Sequence, residues 1–173
     1  MLRKTLIEIR SSIQEGDIIF MEVGGPLYGR IARTTKSWTS HVGIIFRDEG
    51  RWMVAESKVP KSTITPLEDF VKRSVNYNIS VIRYKKALES EQVEKLKEAG
   101  SKRLGRWYDF SFNIEHKKNL YCSRFVYECY QEALGIEVGQ QETLKELLES
   151  CPDAPIGFWR LWFIGRIPWT SRT

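Results

Sequence analysis

A cysteine at the start of a predicted helix is the residue of this chain best suited to chemistry. Cys122 follows Tyr121 and opens a stripe of apolar residues at helical spacing that stops at Leu134 and Gly135. Backbone N–H groups at a helix N-terminus are unpaired and the helix dipole favours negative charge, so a thiol there is stabilised as thiolate. The position therefore predicts a nucleophile, although a cysteine on an apolar helix face is also a common packing residue.

A base and a group that orients it would complete a thiol acyl-transfer site. His41 lies in a β-rich run from Ser40 to Phe46, and Glu56 lies in a second run from Trp52 to Ser57. Because alternate strand residues share a face, His41 shares one with Gly43. We expect this glycine to leave room above the sheet for the N-terminus of the cysteine helix.

The turn between these two runs decides how the imidazole and the carboxylate meet. A two-residue loop at Asp48-Glu49 places His41 directly opposite Glu56 as a cross-strand pair. A three-residue loop ending in Gly50 would instead place Ser57 opposite His41, unless a bulge restores the phase. The sequence favours the first register, in which the carboxylate would hold the imidazole in one tautomer.

Several further elements must support these residues, and their patterns mix helices with strands. Helices are expected from Leu2 to Ile13, Pro66 to Arg73, Ser90 to Leu104 with Ser90 as its cap, and Thr143 to Leu148; strands from Ile18 to Val23 and Ile79 to Tyr84; a short helix or loop from Tyr28 to Thr35; and a loop from Cys151 to Pro155. Strands cluster before residue 85 without regular βα alternation. This order predicts an α+β fold with a mostly antiparallel sheet packed against helices, in a single domain over residues 1–173.

Composition excludes several classes of function. The chain has 173 residues, 42% hydrophobic and 28% charged, as expected of a globular domain. Its cysteines, Cys122, Cys129 and Cys151, are odd in number and form no CxxC pair, so we expect reduced thiols, with Cys129 in the core. His41 and His116 stand far apart without clustered ligand spacing, and glycine-rich phosphate loops are absent. We expect no cofactor, no metal and no nucleic-acid partner.

The N-terminal segment lacks the apolar core and cleavage site of a signal peptide, and no stretch is long and apolar enough to span a bilayer. We therefore expect a cytoplasmic protein. The net charge of +5 favours anionic surfaces only weakly, and the oligomeric state stays open.

An aromatic segment from Phe158 to Trp169 contains three of the six tryptophans beside arginines. Such a composition also occurs in segments that contact membranes peripherally. The favoured interpretation is a closing strand or extended segment, because Trp159, Leu161 and Phe163 alternate with other residues and Pro168 would end it.

Five short motifs in a fixed order resemble one known family. They are Gly16-Asp17-Ile18-Ile19, Ser40-His41-Val42-Gly43-Ile44, Ala55-Glu56-Ser57, Tyr108-Asp109 and Tyr121-Cys122-Ser123. The set is similar to the circularly permuted NlpC-like branch of papain-like thiol hydrolases, the YiiX and YaeF type. The histidine precedes the cysteine by about 80 residues, as the permuted branch requires and the papain order does not.

The resemblance implies a role for each matching residue. Cys122 would be the nucleophile, His41 the general base and then acid, and Glu56 the residue that orients His41. Tyr108 resembles the family tyrosine that lines the site near the oxyanion, although it could equally be a packed aromatic residue. Asp17 matches the pair that opens the first strand, where a structural role is implied.

The implied activity is a cysteine amidase or peptidase that forms a thioester on an amide or isopeptide substrate. Two alternatives stay open. The run from Tyr121 to Val126 also resembles the cysteine helix of the lecithin retinol acyltransferase group, which would imply an acyl-lipid substrate. The scaffold could also be a catalytically silent binding module.

Overall fold

The computed structural model of the chain describes residues 1–114, 116–151 and 156–163. Five strands form one antiparallel sheet in the order β4-β3-β2-β1-β5. The strands are β1 (Ile18–Val23), β2 (His41–Asp48), β3 (Arg51–Ser57), β4 (Ser62–Pro66) and β5 (Ser74–Ile82). The helices are α1 (Leu2–Arg10), α2 (Pro26–Thr34), α3 (Leu67–Lys72), α4 (Ser90–Ser101), α5 (Cys122–Leu134), α6 (Leu144–Ser150) and α7 (Ile156–Trp162).

Helices cover both faces of the sheet, because successive strand residues point to opposite sides. On one face, Val42, Ile44 and Phe46 of β2 pack against α4 and α5. On the other face, Ile45 of β2 and Val54 of β3 pack against α1 and α3. The expected α+β class with an antiparallel sheet is confirmed, whereas the single domain over residues 1–173 stays a prediction.

The β2–β3 turn is one residue further along than expected. Its loop residues are Glu49 and Gly50, both with positive φ, and Asp48 pairs with Arg51. Two consecutive positive φ angles suit the right-handed twist of a tight hairpin. The prediction that His41 lies directly opposite Glu56 is therefore wrong: the register runs to Ile44 opposite Ala55, so Glu56 faces Gly43 and lies diagonally across from His41.

Gly43 also serves a different purpose from the one expected. A Cβ atom there would lie 2.5 Å from Cγ1 of Val54 and 3.0 Å from the carbonyl oxygen of Ala55, so the glycine admits strand β3. The cysteine helix α5 packs on the opposite face, beside Val42 and Ile44. The expectation that Gly43 makes room for this helix is wrong.

Several helices and strands begin or end at residues other than those that the sequence patterns predict. Strand β4 was not expected, and it ends at Pro66, so α3 begins only at Leu67. Strand β5 begins at Ser74 rather than Ile79, and α4 is capped by Glu89 rather than Ser90. The cysteine helix matches its prediction closely: Gly135 adopts the left-handed conformation that ends it.

The aromatic segment begins as a helix, so the predicted strand is wrong for its described part. Trp159 is buried, the ring centroids of Phe158 and Trp162 lie 5.5 Å apart, and Leu161 is exposed. Residues three and four apart share a helix face, and Trp159, Trp162 and Phe163 have that spacing, although Trp159, Leu161 and Phe163 also fit strand alternation. The expected end of the segment at Pro168 lies outside the described residues, as does most of the expected loop from Cys151 to Pro155.

No helix among the described residues is long and apolar enough to cross a membrane.

Candidate active site

Cys122 is the first residue of α5, as its sequence pattern predicts. Tyr121 precedes it in extended conformation, and the N–H of Ser123 donates a hydrogen bond to the Cys122 sulfur. Cys122 is a half-buried residue, whereas Cys129, two turns further along the same helix, is fully buried in the core. Burial raises the pKa of Cys129 to about 12, which agrees with the expected packing role of that residue.

His41 is the first residue of β2 and lies at the end of the sheet where α5 begins. Its ring is 4% exposed and packs against Phe70 of α3 at 5.8 Å. Its Nε2 atom lies 2.5 Å from Oε2 of Glu56, and its interaction with Cys122 contributes to raising the pKa of the histidine. The imidazole therefore bridges the thiol and the carboxylate, as in a nucleophile–base–orienter set.

Glu56 is completely buried, and both of its oxygens are occupied. Thr65 Oγ1 donates to Oε1 at 2.6 Å, and Arg73 Nη2 donates to Oε1 and Oε2 at 2.6 and 2.7 Å. Burial opposes the charge, but the hydrogen bonds and charges of His41 and Arg73 outweigh it and lower the pKa of Glu56 to about 2. Glu56 is thus a fixed anion beneath the imidazole.

The charges favour a thiolate–imidazolium pair. Burial works against charge on His41, but its contacts with Cys122 and Glu56 raise the pKa of this histidine to about 9. Burial likewise opposes a charged Cys122, yet His41, the Ser123 N–H and the Tyr108 hydroxyl lower the pKa of the thiol. A thiol with a lowered pKa beside a protonated histidine is a nucleophile near neutral pH.

Tyr108 lies beside the thiol, and its hydroxyl hydrogen-bonds to Cys122. Backbone hydrogen bonds hold its segment on two sides: Tyr108 N–H donates to Pro60 O at 2.9 Å, and Asp109 N–H donates to Leu120 O at 3.0 Å. Burial, followed by the Cys122 charge, raises the pKa of Tyr108 well above its ordinary value, so this phenol stays a neutral donor.

Four residues that sequence reasoning missed complete the surroundings of the site. Thr65 and Arg73 hold Glu56; Ser57 Oγ donates to Leu120 O at 2.7 Å and ties β3 to the segment before Cys122; and Tyr28 of α2 lies close enough that the Cys122 charge contributes to raising its pKa, after burial. Only Ser57 had a signal, because it belongs to the motif that contains Glu56. Thr65, Arg73 and Tyr28 come from other elements, and no local sequence pattern predicts that these elements pack beside the site.

Asp17 and His116 lie apart from this set. Asp17 is at the other end of β1 from the strand position opposite His41, and it accepts hydrogen bonds from Arg83 Nε and Nη2 at 2.7 and 2.8 Å. The structural role implied for Asp17 fits this buried ion pair. His116 is exposed and contacts Ser111 Oγ at 2.9 Å.

Comparisons with known proteins agree with this fold. The chain matches the family described as permuted papain-like amidase enzyme, YaeF/YiiX, C92 family, over residues 12–167. It is 34% identical to the uncharacterized protein YiiX of Escherichia coli K12 over 139 residues, which cover 80% of this chain and 68% of that protein. It also resembles the crystal structure of YiiX from Escherichia coli O157:H7, described as a metalloprotein, with a TM-score of 0.86 and 32% identity over 92% of this chain and 87% of that one. The chain therefore belongs to the permuted papain-like amidase family of YaeF and YiiX.

Proposed function

We propose that this chain is a cysteine amidase or peptidase that acts through Cys122, His41 and Glu56. The observation that carries the proposal is the arrangement in which the His41 ring hydrogen-bonds to the buried Glu56 carboxylate and lies close enough to Cys122 to lower the pKa of the thiol. The lowered pKa of Cys122 distinguishes this thiol from a packing cysteine and counts against a silent binding module.

The first half of the reaction forms a thioester. The Cys122 thiolate attacks the carbonyl carbon of an amide, so that an S–C bond forms and the carbonyl electron pair moves onto oxygen. The Cys122 N–H and the Tyr108 hydroxyl are candidate donors to this oxyanion, an interaction worth about 3 kcal/mol per donor in other hydrolases. His41 then gives its proton to the leaving nitrogen, and the C–N bond breaks.

The second half regenerates the thiol. Neutral His41 takes a proton from water, the hydroxide forms a C–O bond with the thioester carbon, and the S–C bond breaks to release a carboxylic acid. Glu56 holds the His41 ring in place through both halves and balances its charge. We propose hydrolysis rather than transfer because it needs only water as the acceptor.

A resident metal ion does not fit the residues present. Glu56 already engages both oxygens with His41, Thr65 and Arg73, which leaves Cys122 and one nitrogen of His41. No group of three histidine, cysteine, aspartate or glutamate side chains converges in the part of the chain that the structure describes. Two ligands are fewer than the three or four that protein zinc sites supply.

Trapping the acyl-enzyme tests the proposal. Mixing the protein with p-nitrophenyl acetate and quenching in acid should add the mass of one acetyl group, and peptide mapping should locate it on Cys122. Cys122→Ala should abolish the addition, whereas Cys151→Ser, a matched control away from His41, should retain it. Acetylation that persists in Cys122→Ala, or none in the native protein, would overturn the proposed nucleophile.

A further inference from the structure

Tyr28 lies near the thiol, and the proposed mechanism gives it no role. It belongs to the first turn of α2, and two residues separate this helix from β1. The end of β1 lies beside His41: Met21 pairs with His41, and the N–H of Val23 donates to Ser40 Oγ at 2.9 Å. The first turn of α2 is therefore fixed close to the proposed base.

The Tyr28 side chain belongs to the face of α2 that is turned toward Cys122. Ile31 and Thr35 follow Tyr28 by three and seven residues, a spacing that places all three on one face. Both Ile31 and Thr35 line the space beside Cys122. The Arg30 guanidinium lies 4.4 Å from the centre of an aromatic ring of α7, which holds α2 in this orientation.

The electrostatics agree with this position and keep the phenol neutral. The half-buried side chain has a raised pKa, because of burial first and the Cys122 charge second. Arg73 lowers the pKa of Tyr28 and Glu56 raises it, so the hydroxyl lies toward the Glu56 side of the thiol. A phenol with a raised pKa keeps its proton near neutral pH, and its oxygen can still accept a hydrogen bond.

The groups around an attacked amide carbonyl need different neighbours. The oxygen needs hydrogen-bond donors, for which the Cys122 N–H and the Tyr108 hydroxyl are the candidates. The leaving nitrogen needs a proton, which His41 would supply. This nitrogen also carries an N–H of its own, which needs an acceptor once the amide leaves water. The Tyr28 oxygen is an acceptor on the side of the thiol where His41 and Glu56 lie.

We propose that Tyr28 recognises the leaving group: its hydroxyl oxygen accepts a hydrogen bond from the N–H of the scissile amide and directs the nitrogen lone pair toward His41. The inference rests on the proposed function and adds a preference for amides that carry an N–H. When the C–N bond breaks, its electron pair goes to nitrogen, which takes the proton of His41, while Tyr28 keeps its own proton. Tyr28 is thus a specificity-determining residue and neither an acid nor a base.

Two acetyl compounds that differ in one group test the inference. p-Nitrophenyl acetate and p-nitroacetanilide share the acyl group and the ring, but the first leaves through oxygen and the second through N–H. In Tyr28→Phe we expect kcat/KM for the anilide to fall about tenfold, as for the loss of one hydrogen bond, and kcat/KM for the ester to change by less than about twofold. Tyr84→Phe is the matched control, since Tyr84 is 43% exposed beyond the end of β5, and it should leave both values as in the native protein.

A second measurement separates recognition from a structural role. Because Tyr28 is neutral, the pH dependence of Cys122 alkylation by iodoacetamide in Tyr28→Phe should overlay that of the native protein. Equal losses on ester and anilide, or a shifted alkylation profile, would mean that Tyr28 only supports the fold of the site. An anilide value that Tyr28→Phe does not lower, or a native protein that accepts the ester but not the anilide, would overturn the inference and keep Cys122 as nucleophile. No acetylation of Cys122 by the ester would overturn the proposed function itself.

Discussion

Arg73 determines the electrostatics of the site without touching the thiol. Its guanidinium binds both oxygens of Glu56 and lies over the ring of Phe70, which in turn packs against His41. A buried carboxylate that is left with one partner is costly, so this second cation lets Glu56 stay ionised beneath the imidazole. Arg73 is thus a positioning residue whose effect reaches Cys122 through Glu56 and His41.

Replacing Arg73 should therefore change the pKa values of the neighbouring groups as well as the free energy of unfolding. Removing a positive charge raises the pKa of each neighbouring group, so in Arg73→Met the rate of Cys122 alkylation by iodoacetamide should rise at higher pH than in the native protein. The unfolding free energy should fall by about 2 kcal/mol, less than for a fully buried pair because the Arg73 side chain is 31% exposed. Mass spectrometry of the alkylated peptide and urea unfolding measure the two effects.

Two further variants test whether the shift in the alkylation profile comes from the charge of Arg73. Arg73→Lys keeps the charge and should restore most of the native alkylation profile. Lys72→Met removes a neighbouring cation that pairs with Glu68 at the surface, and it should leave the profile unchanged. An Arg73→Met profile that overlays the native one would reduce Arg73 to a purely structural residue.

At the scale of elements, the contact between His41 and Glu56 depends on how closely β2 and β3 approach. The two residues lie diagonally, so the imidazole reaches the carboxylate past Gly43, where a side chain would meet the facing strand. Strands β2 and β3 approach each other so closely at Gly43 that no room is left for a Cβ atom. The hairpin thus fixes the distance between His41 and Glu56 through a glycine.

Gly43→Ala should disturb this contact. The added methyl would lie 2.5 Å from Val54 Cγ1 and 3.0 Å from the Ala55 carbonyl, so β3 must move and carry Glu56 with it. We expect a loss of about 1–3 kcal/mol in unfolding free energy, typical of overpacking, together with slower acylation by p-nitrophenyl acetate. Gly43→Ala/Val54→Ala should recover part of both losses, because one of the two clashes is with the Val54 side chain.

Gly29→Ala is the matched control for this experiment. Gly29 lies within α2 and a Cβ there would meet nothing within 4 Å, so alanine should stabilise the helix slightly. Thermal unfolding followed by circular dichroism compares the variants. A Gly43→Ala protein as stable and reactive as Gly29→Ala would contradict the close-approach argument.

The elements show why sequence reasoning succeeded for the helix that begins at Cys122 and failed elsewhere. The α5 pattern is strong because an apolar stripe begins at Cys122 and a left-handed glycine ends it at Gly135. The hairpin phase depends on which residues accept positive φ, and Glu49 does so here against its usual preference. The face alternation that links His41 with Glu56 survives the shift, so the two side chains still meet although the predicted direct pairing is wrong.

The partners of Glu56 could not be predicted, because they depend on the packing of separate elements. Arg73 sits between α3 and β5, and nothing in its neighbourhood marks a contact with a residue 17 positions earlier. Strand β4 supplies Thr65 but is short and follows a loop, which hides its pattern. The strand predicted where helix α7 forms is wrong for the opposite reason. The apolar residues there fit both the helical and the strand periodicity, and packing of Trp159 and Trp162 against α2 and the segment after Tyr108 selects the helical one.

At the scale of the whole molecule, the site forms where three layers meet. Cys122 comes from the helix on one face of the sheet, Arg73 from the end of α3 on the other face, and His41 and Glu56 from strands between them. Each layer thus supplies a charge that the others neutralise. Proton binding at the site must therefore be linked to the packing of the sheet with α3 and α5.

Around neutral pH the two groups of the pair act on stability in opposite directions. In the folded protein His41 keeps its proton up to about pH 9, whereas an unfolded histidine loses it near 6.5, so this group alone would lose stability as pH rises between those values. The lowered pKa of Cys122 means that the folded protein releases this proton at a lower pH than the unfolded chain does, so this group alone would gain stability as pH rises. The two contributions therefore oppose each other.

Glu56 instead gives a dependence that is not cancelled. Its pKa is lowered from 4.5 to about 2, so it contributes stability above pH 4.5 that is lost as pH falls toward 2. We expect the difference in unfolding free energy between the native protein and Glu56→Gln to shrink by roughly 3 kcal/mol as pH falls from 4.5 to 2. Urea unfolding across this range measures it. Glu91→Gln, which removes an exposed carboxylate paired with Lys95, is the control and should show only a small change. A Glu56→Gln difference that stays constant down to pH 2 would mean that the buried carboxylate is not held ionised by His41 and Arg73.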